Sequence, residues 1–283
     1  MRRHFVASLA AFTVFTLIAY TPTSGTAEEL VSIESAPFLV GEVQRREAIA
    51  RGETPAPREM VHAYLSKPEG NGPFPAIVYL HGCGGLSKST RHRIAELMTG
   101  WGYVTLAVDS FTTRELKHAC DDFPAVRQGD ALGALRYLSA QGFVDPTRIA
   151  VVGSSQGAMT ALRLVSTRPS LFAAPDELKF KAVVAYYPFC NVATDQLTLP
   201  TLVMIGESDD WTPARDCEGW MARRAGKGAP VTLIIYPGAY HSFDNPNLGE
   251  GRRIFGHWLK YDAEATQRSV ADMREFLAAQ FAK

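Results

Sequence analysis

The sequence predicts a single α/β domain, with a mostly parallel, twisted sheet of about seven to eight strands and helices on both faces. From about residue 58, short apolar runs rich in β-branched residues alternate with longer segments of helical periodicity. Most of these runs are continuously apolar, as expected for strands buried on both faces of a parallel sheet. The 283 residues are 46% hydrophobic and contain no internal repeat or long Gly/Ser linker, so one folded domain is expected.

Seven runs are predicted as strands, at 61–65, 76–80, 104–108, 149–152, 182–186, 201–205 and 231–236. An eighth candidate, 30–33, lies within residues 28–58. That segment mixes charged residues with prolines, and the rest of it is expected to form an irregular edge of the same domain.

Helices are predicted between these strands, at 91–100, 125–140, 156–167, 213–225 and 263 to about 281. The last helix has a recognisable start, because Asp262 can accept hydrogen bonds from the free amides of its first turn. Met273, Phe276 and Leu277 recur at helical spacing and are expected to dock one face of this helix on the sheet.

The N-terminal residues predict export. Arg2 and Arg3 precede an apolar run at 5–20, and the polar stretch that follows ends at Ala27. This order is typical of a signal peptide cleaved near Ala27, since a run of about 16 residues is short against the roughly 20 needed to span a membrane. A twin-arginine export route is an alternative. The mature domain, 28–283, is expected to be periplasmic or secreted and to have no stable membrane span.

Charge and cysteine usage exclude several other functions. Lys plus Arg and Asp plus Glu both number 29, and removal of residues 1–27 leaves 27 − 29 = −2, so no basic surface for nucleic acid is expected. The cysteines, Cys83, Cys120, Cys190 and Cys217, are even in number and allow three pairings. None has a zinc-binding spacing, and neither a metal nor a cofactor is predicted.

A Gly-x-Ser-x-Gly pattern at residues 153–157 marks a candidate nucleophile. A predicted strand precedes it and a predicted helix follows, so Ser155 falls on the abrupt turn that presents a nucleophilic serine. Gly153 and Gly157 are needed there because a Cβ at either position would collide with the turn. The helix start directs free amides toward the space where an oxyanion would develop, and the Gln156 amide is one such donor.

A serine hydroxyl needs a base to remove its proton, and the base needs a carboxylate to orient it. His241 is the candidate base, because it follows the predicted strand 231–236 through a Pro-Gly turn and precedes the last helix. In this architecture the acid precedes the histidine along the chain. Asp209 and Asp210 both follow the strand 201–205, and their spacing leaves the choice between them open.

The loop after strand 76–80 reads His81-Gly82-Cys83-Gly84-Gly85. Its glycines allow the backbone to approach a substrate closely, and the Cys83 amide is the candidate second oxyanion donor. The loop lacks the Gly-Lys-Ser/Thr ending of a phosphate-binding loop, which argues against nucleotide binding.

Taken together, these segments resemble the dienelactone hydrolase family of α/β-hydrolases. The resemblance covers about residues 58–281 and rests on four motifs that occur in the family's order: 81–85, 153–157, 206–213 and 236–243. It implies the α/β-hydrolase fold. It also favours Asp209 as the acid, because the family's acid usually stands four residues before the proline of the third motif.

Two residues depart from the family's pattern. The namesake enzymes use a cysteine nucleophile with a glutamate in the early loop, whereas this chain has Ser155 and, at the matching loop position, Gly82. The resemblance therefore implies a serine esterase that cleaves small-molecule carboxylic esters or lactones through an acyl-enzyme, with no cofactor. A peptidase or thioesterase with the same triad is the alternative within hydrolases, and a non-catalytic binding module on the same fold is the alternative outside them.

Three residues near the predicted site are candidates for substrate binding. Trp211 and Phe243 are aromatic neighbours of the acid and the base and could line an apolar pocket. Arg114, in the loop after strand 104–108, is a candidate partner for a substrate carboxylate, a role that arginines have in the resembled family.

The implied fold also indicates which cysteines can meet. Cys83 and Cys120 follow strands that are expected to be neighbours, and Cys190 and Cys217 follow another adjacent pair. Disulfides Cys83–Cys120 and Cys190–Cys217 are therefore predicted.

Overall fold

The computed structural model describes residues 28–122, 124, 126–166, 171–172 and 178–283. The predicted signal peptide, 1–27, and its cleavage site lie outside the described residues. All eight strand candidates belong to one sheet, and its strands are β1 (Glu29–Glu34), β2 (Met60–Ser66), β3 (Phe74–Leu80), β4 (Val104–Asp109), β5 (Val144–Ser154), β6 (Val183–Tyr186), β7 (Thr201–Gly206) and β8 (Val231–Tyr236).

The sheet has the order β1-β2-β4-β3-β5-β6-β7-β8. Strands from β4 to β8 pair in parallel, while β1 with β2 and β2 with β4 are antiparallel. The prediction of a mostly parallel sheet is thus confirmed. From β3 the chain passes to β4 on one side and then to β5 on the other. The carboxyl ends of β3 and β5 therefore frame a crevice, which is where open α/β sheets bind their ligands.

The described helices are α1 (Leu39–Ala50), α2 (Lys88–Gly100), α3 (Val126–Ser139), α4 (Gln156–Leu164), α5 (Ala214–Arg223) and α6 (Ala263–Phe281). α2 begins three residues earlier than predicted because the Ser87 hydroxyl accepts the Thr90 amide at 3.1 Å and caps the helix. α4 ends at Leu164, and residue 167, its predicted end, lies outside the described residues. α6 has its predicted bounds and cap, with Asp262 accepting the Ala265 amide at 2.9 Å.

Helix α1 corrects one expectation, since residues 35–58 were expected to be irregular. Leu39, Val40 and Val43 of this helix are exposed, and no side chain of α1 is buried. A helix that buries no apolar stripe gives no periodic signal in the sequence, which explains why it was missed.

A small hairpin, β9 (Arg252–Ile254) and β10 (His257–Leu259), stands apart from the main sheet. It was not predicted, because three-residue strands are too short to show a pattern. An isolated bridge between Leu259 and His241 ties the hairpin to the loop after β8.

Both predicted disulfides are confirmed, Cys83–Cys120 and Cys190–Cys217. The first connects the loops after β3 and β4, and the second connects the segment after β6 to α5. Among the described helices, none combines the length and the apolarity that crossing a membrane requires.

Candidate active site

Ser155 stands on a strained turn between β5 and α4, with φ of 52° and ψ of −117°. A Cβ added to Gly153 would lie 2.4 Å from the carbonyl carbon and oxygen of Gly157, and one added to Gly157 would lie 2.1 Å from the Leu80 oxygen. Both glycines are therefore required sterically, as the sequence pattern suggested. The turn places the serine hydroxyl at the crevice between β3 and β5.

His241 lies between Ser155 and Asp209 and is hydrogen-bonded to both. Its Nε2 is 3.0 Å from Ser155 Oγ, and its Nδ1 is 2.7 Å from Asp209 Oδ2. His241 is 1% exposed and Asp209 is 4% exposed. A neutral imidazole that donates Nδ1–H to the carboxylate presents an unprotonated Nε2 to the serine, which is the arrangement a general base needs.

Asp209 accepts three hydrogen bonds besides its contact with His241. Its Oδ1 accepts the amides of Trp211 and Thr212 at 2.9 and 2.8 Å, and the Thr212 hydroxyl is 2.9 Å from its Oδ2. Asp210 is directed elsewhere, since its carboxylate accepts the Trp258 amide at 3.1 Å and is 3.6 Å from His257. Of the two aspartates that sequence spacing could not separate, the structure brings Asp209 to His241.

The two candidate oxyanion donors belong to different elements, α4 and the loop after β3. Gln156 is the first residue of α4, so its amide has no acceptor within the helix. A Cβ on Gly82 would be 3.6 Å from the Cβ of Ser155, which shows how closely the loop after β3 approaches the nucleophile. Cys83 follows directly and lines the same cleft. Its carbonyl accepts the Ala119 amide at 2.8 Å, beside the disulfide to Cys120.

A buried arginine connects both sides of this arrangement, and sequence reasoning missed it. Arg127, on α3, donates to the Gln156 side chain at 2.7 Å and to the His81 carbonyl at 2.6 Å. The side-chain Nε2 of Gln156 in turn donates to the backbone carbonyls of Ala119 and Asp122. Burial lowers the pKa of Arg127 to about 10, so the guanidinium stays charged at neutral pH. Nothing in its helical position distinguishes it from a surface arginine.

His81 is the first residue of the loop after β3 and is 1% exposed. Its Nδ1 donates to the Gly82 carbonyl at 2.6 Å, and its Nε2 accepts the Ser110 amide at 3.3 Å. Burial, followed by the nearby charge of Arg127, lowers the pKa of His81 to about 3. His81 is therefore a neutral residue whose hydrogen bonds to Gly82 and Ser110 hold the loop in place.

The cleft around Ser155 has a volume of about 260 Å³, and its lining is of two chemical kinds. The polar lining residues include Tyr79, Ser87, Thr90, Arg93, Tyr187, Asp244 and Asn245. The apolar lining residues include Trp211, Ile254, Phe255 and Leu259. A larger cavity of about 390 Å³ lies beside α1 and contains neither Ser155 nor His241.

Only one of the three predicted substrate-binding residues lines this cleft. Trp211 does so, whereas Phe243 is fully buried and packs on Tyr187 and Tyr236. The Arg114 guanidinium forms a bidentate pair with Asp130, at 2.8 Å for both bonds. It also donates to Glu59, so its charge is already neutralised away from the cleft.

Residues 61–281 match the dienelactone hydrolase family, and the chain belongs to this family. A candidate phosphoribosyl transferase of Mycobacterium tuberculosis (strain H37Rv) is 30% identical over 200 residues, covering 67% of this chain and 41% of that protein. Cutinase est1 of Thermobifida alba is 28% identical over 193 residues, covering 66% of this chain and 57% of the cutinase. The chain thus spans about two fifths of the length of the first relative and under three fifths of the second.

Solved structures share the fold. Apo esterase 2 of Thermogutta terrifontis superposes with a TM-score of 0.61 at 22% identity, covering 77% of this chain and 89% of the esterase. A dienelactone hydrolase-like promiscuous phosphotriesterase from metagenomic libraries also has a TM-score of 0.61, at 21% identity, covering 90% of this chain and 99% of its own. At these identities the likeness concerns the α/β-hydrolase fold.

Proposed function

We propose that this protein is an exported serine hydrolase that cleaves carboxylic esters or lactones through Ser155, His241 and Asp209. The observation that carries the proposal is the hydrogen-bonded series from Asp209 through His241 to Ser155, with distances of 2.7 and 3.0 Å at the start of a helix. A serine, a base and an orienting acid within hydrogen-bond reach are the requirements for nucleophilic catalysis.

In the acylation step, Ser155 Oγ attacks the ester carbonyl carbon while its proton passes to His241 Nε2. The carbonyl oxygen becomes an oxyanion, and the amides of Cys83 and Gln156 donate to it. When the tetrahedral intermediate collapses, the bond to the alkoxy oxygen breaks and His241 returns the proton to the departing alcohol. Asp209 stabilises the imidazolium that exists between these two transfers.

In the deacylation step, a water molecule replaces the alcohol. His241 removes its proton, the hydroxide attacks the acyl carbon, and Ser155 leaves with the proton from His241. The product of an ester is a carboxylic acid. A lactone yields a hydroxy acid instead, because the leaving alcohol remains part of the acyl chain.

The proposal of an ester substrate is supported by the activities in the names of similar proteins. The relatives of this chain include cutinases, and the structural neighbour from Thermogutta terrifontis has been solved with propionate bound and phosphorylated by paraoxon. The serine also matters chemically: unlike a cysteine thiolate, a serine hydroxyl depends on His241 in both steps.

The proposal of export is supported by the cysteines. All four are paired in disulfides, and structural disulfides persist in oxidising compartments such as the periplasm or the extracellular space. The signal pattern at residues 1–27 points the same way.

Hydrolysis of p-nitrophenyl butyrate tests this function. The protein is compared with Ser155→Ala and with Ser154→Ala, whose hydroxyl lies 3.2 Å from Tyr79 instead of His241. Ser155→Ala is expected to lose at least about a thousandfold in kcat, while Ser154→Ala keeps most of it.

Incubation with paraoxon is expected to add one diethylphosphoryl group, located on Ser155 by mass spectrometry. Folded protein that neither turns over the ester nor becomes labelled contradicts the proposal and favours the binding module. Faster turnover of matched thioesters or anilides favours the thioesterase or peptidase instead.

A further inference from the structure

The tip of the β9–β10 hairpin carries an unusual residue. Ile254 pairs with His257, so the turn consists of Phe255 and Gly256, and both have positive φ, 50° and 86°. A two-residue turn with two positive φ values favours Asn, Asp or Gly at its first position. A bulky side chain in that conformation is strained, and Phe255 is also 48% exposed. Neither local conformation nor burial explains a phenylalanine at this position.

The ring of Phe255 lies at the mouth of the cleft that holds Ser155. Its centroid is 5.2 Å from that of His118 and 6.0 Å from that of Trp211. His118 stands two residues before Cys120, on the oxyanion side of the cleft, and Trp211 stands two residues after Asp209, on the acid side. Phe255 therefore contacts aromatic rings on both sides of the opening.

Trp211 is held rigidly behind this opening. One side of its indole stacks on His257, with centroids 4.9 Å apart and planes inclined by 12°, and its centroid is 5.1 Å from that of His241. Its amide is fixed by Asp209. The indole thus forms a preorganised flat wall next to the reacting groups, and part of it is accessible from the cleft.

We infer that Phe255 and Trp211, with His118 at the rim, form an aromatic subsite that takes a flat, unsaturated ring of the substrate. This inference rests on the proposed function and specifies its substrate class as aryl-bearing esters or lactones. Aromatic pairs prefer offset-stacked or edge-to-face geometries at centroid distances of about 4.5–7 Å, and the surfaces of Phe255 and Trp211 that line the cleft can contact a substrate ring in this way. Arg93 and Asp244, which also line the cleft, are charged and paired with each other, so an apolar ring is assigned to the hairpin residues and Trp211 instead.

Matched ligands distinguish a subsite that recognises aromatic rings from one that is only hydrophobic. Ethyl 3-phenylpropanoate and ethyl 3-cyclohexylpropanoate place a ring on the acyl side, and 2-phenylethyl and 2-cyclohexylethyl acetate place it on the alcohol side. Binding to the full-length Ser155→Ala protein is measured by calorimetry, so the readout does not depend on turnover. The aromatic subsite prefers the phenyl member of one pair by about three- to tenfold, although the cyclohexyl ring is the more hydrophobic of the two.

Phe255→Asn is the decisive variant, because it removes the ring and installs the residue that the turn prefers. It is expected to have a melting temperature at least equal to that of the parent and yet to lose the phenyl preference. Trp211→Leu is expected to lose the preference as well. Phe38→Asn is the matched control, since Phe38 is also a partly exposed phenylalanine, 39% exposed, but lies at the start of α1. This control keeps the preference.

The outcomes separate this inference from the function on which it rests. Ser155-dependent hydrolysis without a phenyl preference, or with a preference that Phe255→Asn leaves intact, overturns the aromatic subsite while the esterase proposal stands. A phenyl preference in binding that Phe255→Asn removes supports the subsite, even if the protein with Ser155 intact neither hydrolyses p-nitrophenyl butyrate nor is labelled by paraoxon. In that case the esterase proposal fails alone. Absence of detectable binding to all four ligands overturns the subsite.

Discussion

The Tyr187 hydroxyl donates a 2.6 Å hydrogen bond to Asp244 and so joins the loop after β6 to the loop that carries His241. Tyr187 has a φ of 40°, and its ring centroid is 4.7 Å from that of His241. Burial, followed by the charge of Asp244, raises the pKa of Tyr187 well above its ordinary value, so the phenol remains a donor. Arg93 completes the group with an ion pair to Asp244 at 3.1 Å. Tyr187 thus packs its ring against the imidazole of His241 and anchors the loop that carries His241.

Removal of this one hydroxyl, in Tyr187→Phe, is expected to lower kcat about tenfold, because the His241 loop loses an anchor while the ring contact remains. Loss of a buried hydrogen bond to a charged group also costs roughly 1.5–3 kcal/mol of unfolding free energy. Tyr186→Phe is the matched control, since the Tyr186 hydroxyl bonds Ser269 on α6. Ester turnover and urea unfolding are measured on both variants. Equal effects on kcat contradict the role assigned to Tyr187.

The neighbouring aspartates offer a second matched pair. In Asp209→Asn the amide oxygen can keep the bonds from the Trp211 and Thr212 amides, which leaves an NH₂ facing His241 Nδ1. The imidazole then carries its proton on Nε2 and cannot accept one from Ser155. We expect kcat to fall about 10³- to 10⁴-fold. Asp210→Asn, whose side chain is half exposed, is expected to stay within about twofold of the parent. A larger loss for Asp210→Asn would reassign the acid.

Several elements of this structure were predictable because each has a strong local cause. The parallel strands are continuously apolar, and glycine is required at 153 and 157 because a Cβ there would lie as close as 2.1 Å to backbone atoms. The order of the sheet then brings residues separated by 86 positions, Ser155 and His241, to one edge. Both disulfides follow from the same strand adjacency.

Other features depend on tertiary contacts that leave no mark in the sequence. Arg127 looks like any helical arginine until α3 packs against β5 and directs it toward Gln156. Arg114 looked available for a substrate because the sequence does not show that Asp130 reaches it. Asp209 and Asp210 are adjacent in one loop, and their side chains are directed to different partners, His241 and the Trp258 amide. Sequence spacing does not specify which of two adjacent side chains is directed to the histidine.

His81 is expected to make stability depend on pH. Its pKa is 6.5 in the unfolded chain and about 3 in the folded one, so between these values the unfolded state binds one more proton. The contribution of His81 to the free energy of unfolding is therefore fully present above pH 6.5. As the pH falls from 6.5 toward 3, protonation of His81 in the unfolded chain lowers the free energy of unfolding by at most about 1.4 kcal/mol per pH unit. His81→Asn can keep the donor to Gly82 but does not titrate. The check is urea unfolding at several pH values, and an unchanged slope in His81→Asn would refute this assignment.

The two disulfides are expected to be separable in function although they close loops of similar length. Their sequence separations are 37 and 27 residues, so the chain-entropy model assigns each roughly 4 kcal/mol of stabilisation.

The Cys83–Cys120 pair holds the loop of a candidate oxyanion donor, whereas Cys190 and Cys217 are fully buried and line no part of the cleft. The double variant Cys83→Ala/Cys120→Ala is therefore expected to lose about tenfold in kcat, since a displaced donor loses part of the effect of a deleted one. Cys190→Ala/Cys217→Ala is expected to unfold at lower urea with kcat nearly unchanged. Mild reduction of the parent should open the Cys83–Cys120 disulfide first and so lower kcat, because Cys83 is 9% exposed whereas Cys190 and Cys217 are fully buried. If both double variants lose rate equally, the loop that carries the candidate donor Cys83 does not depend on its disulfide for its position.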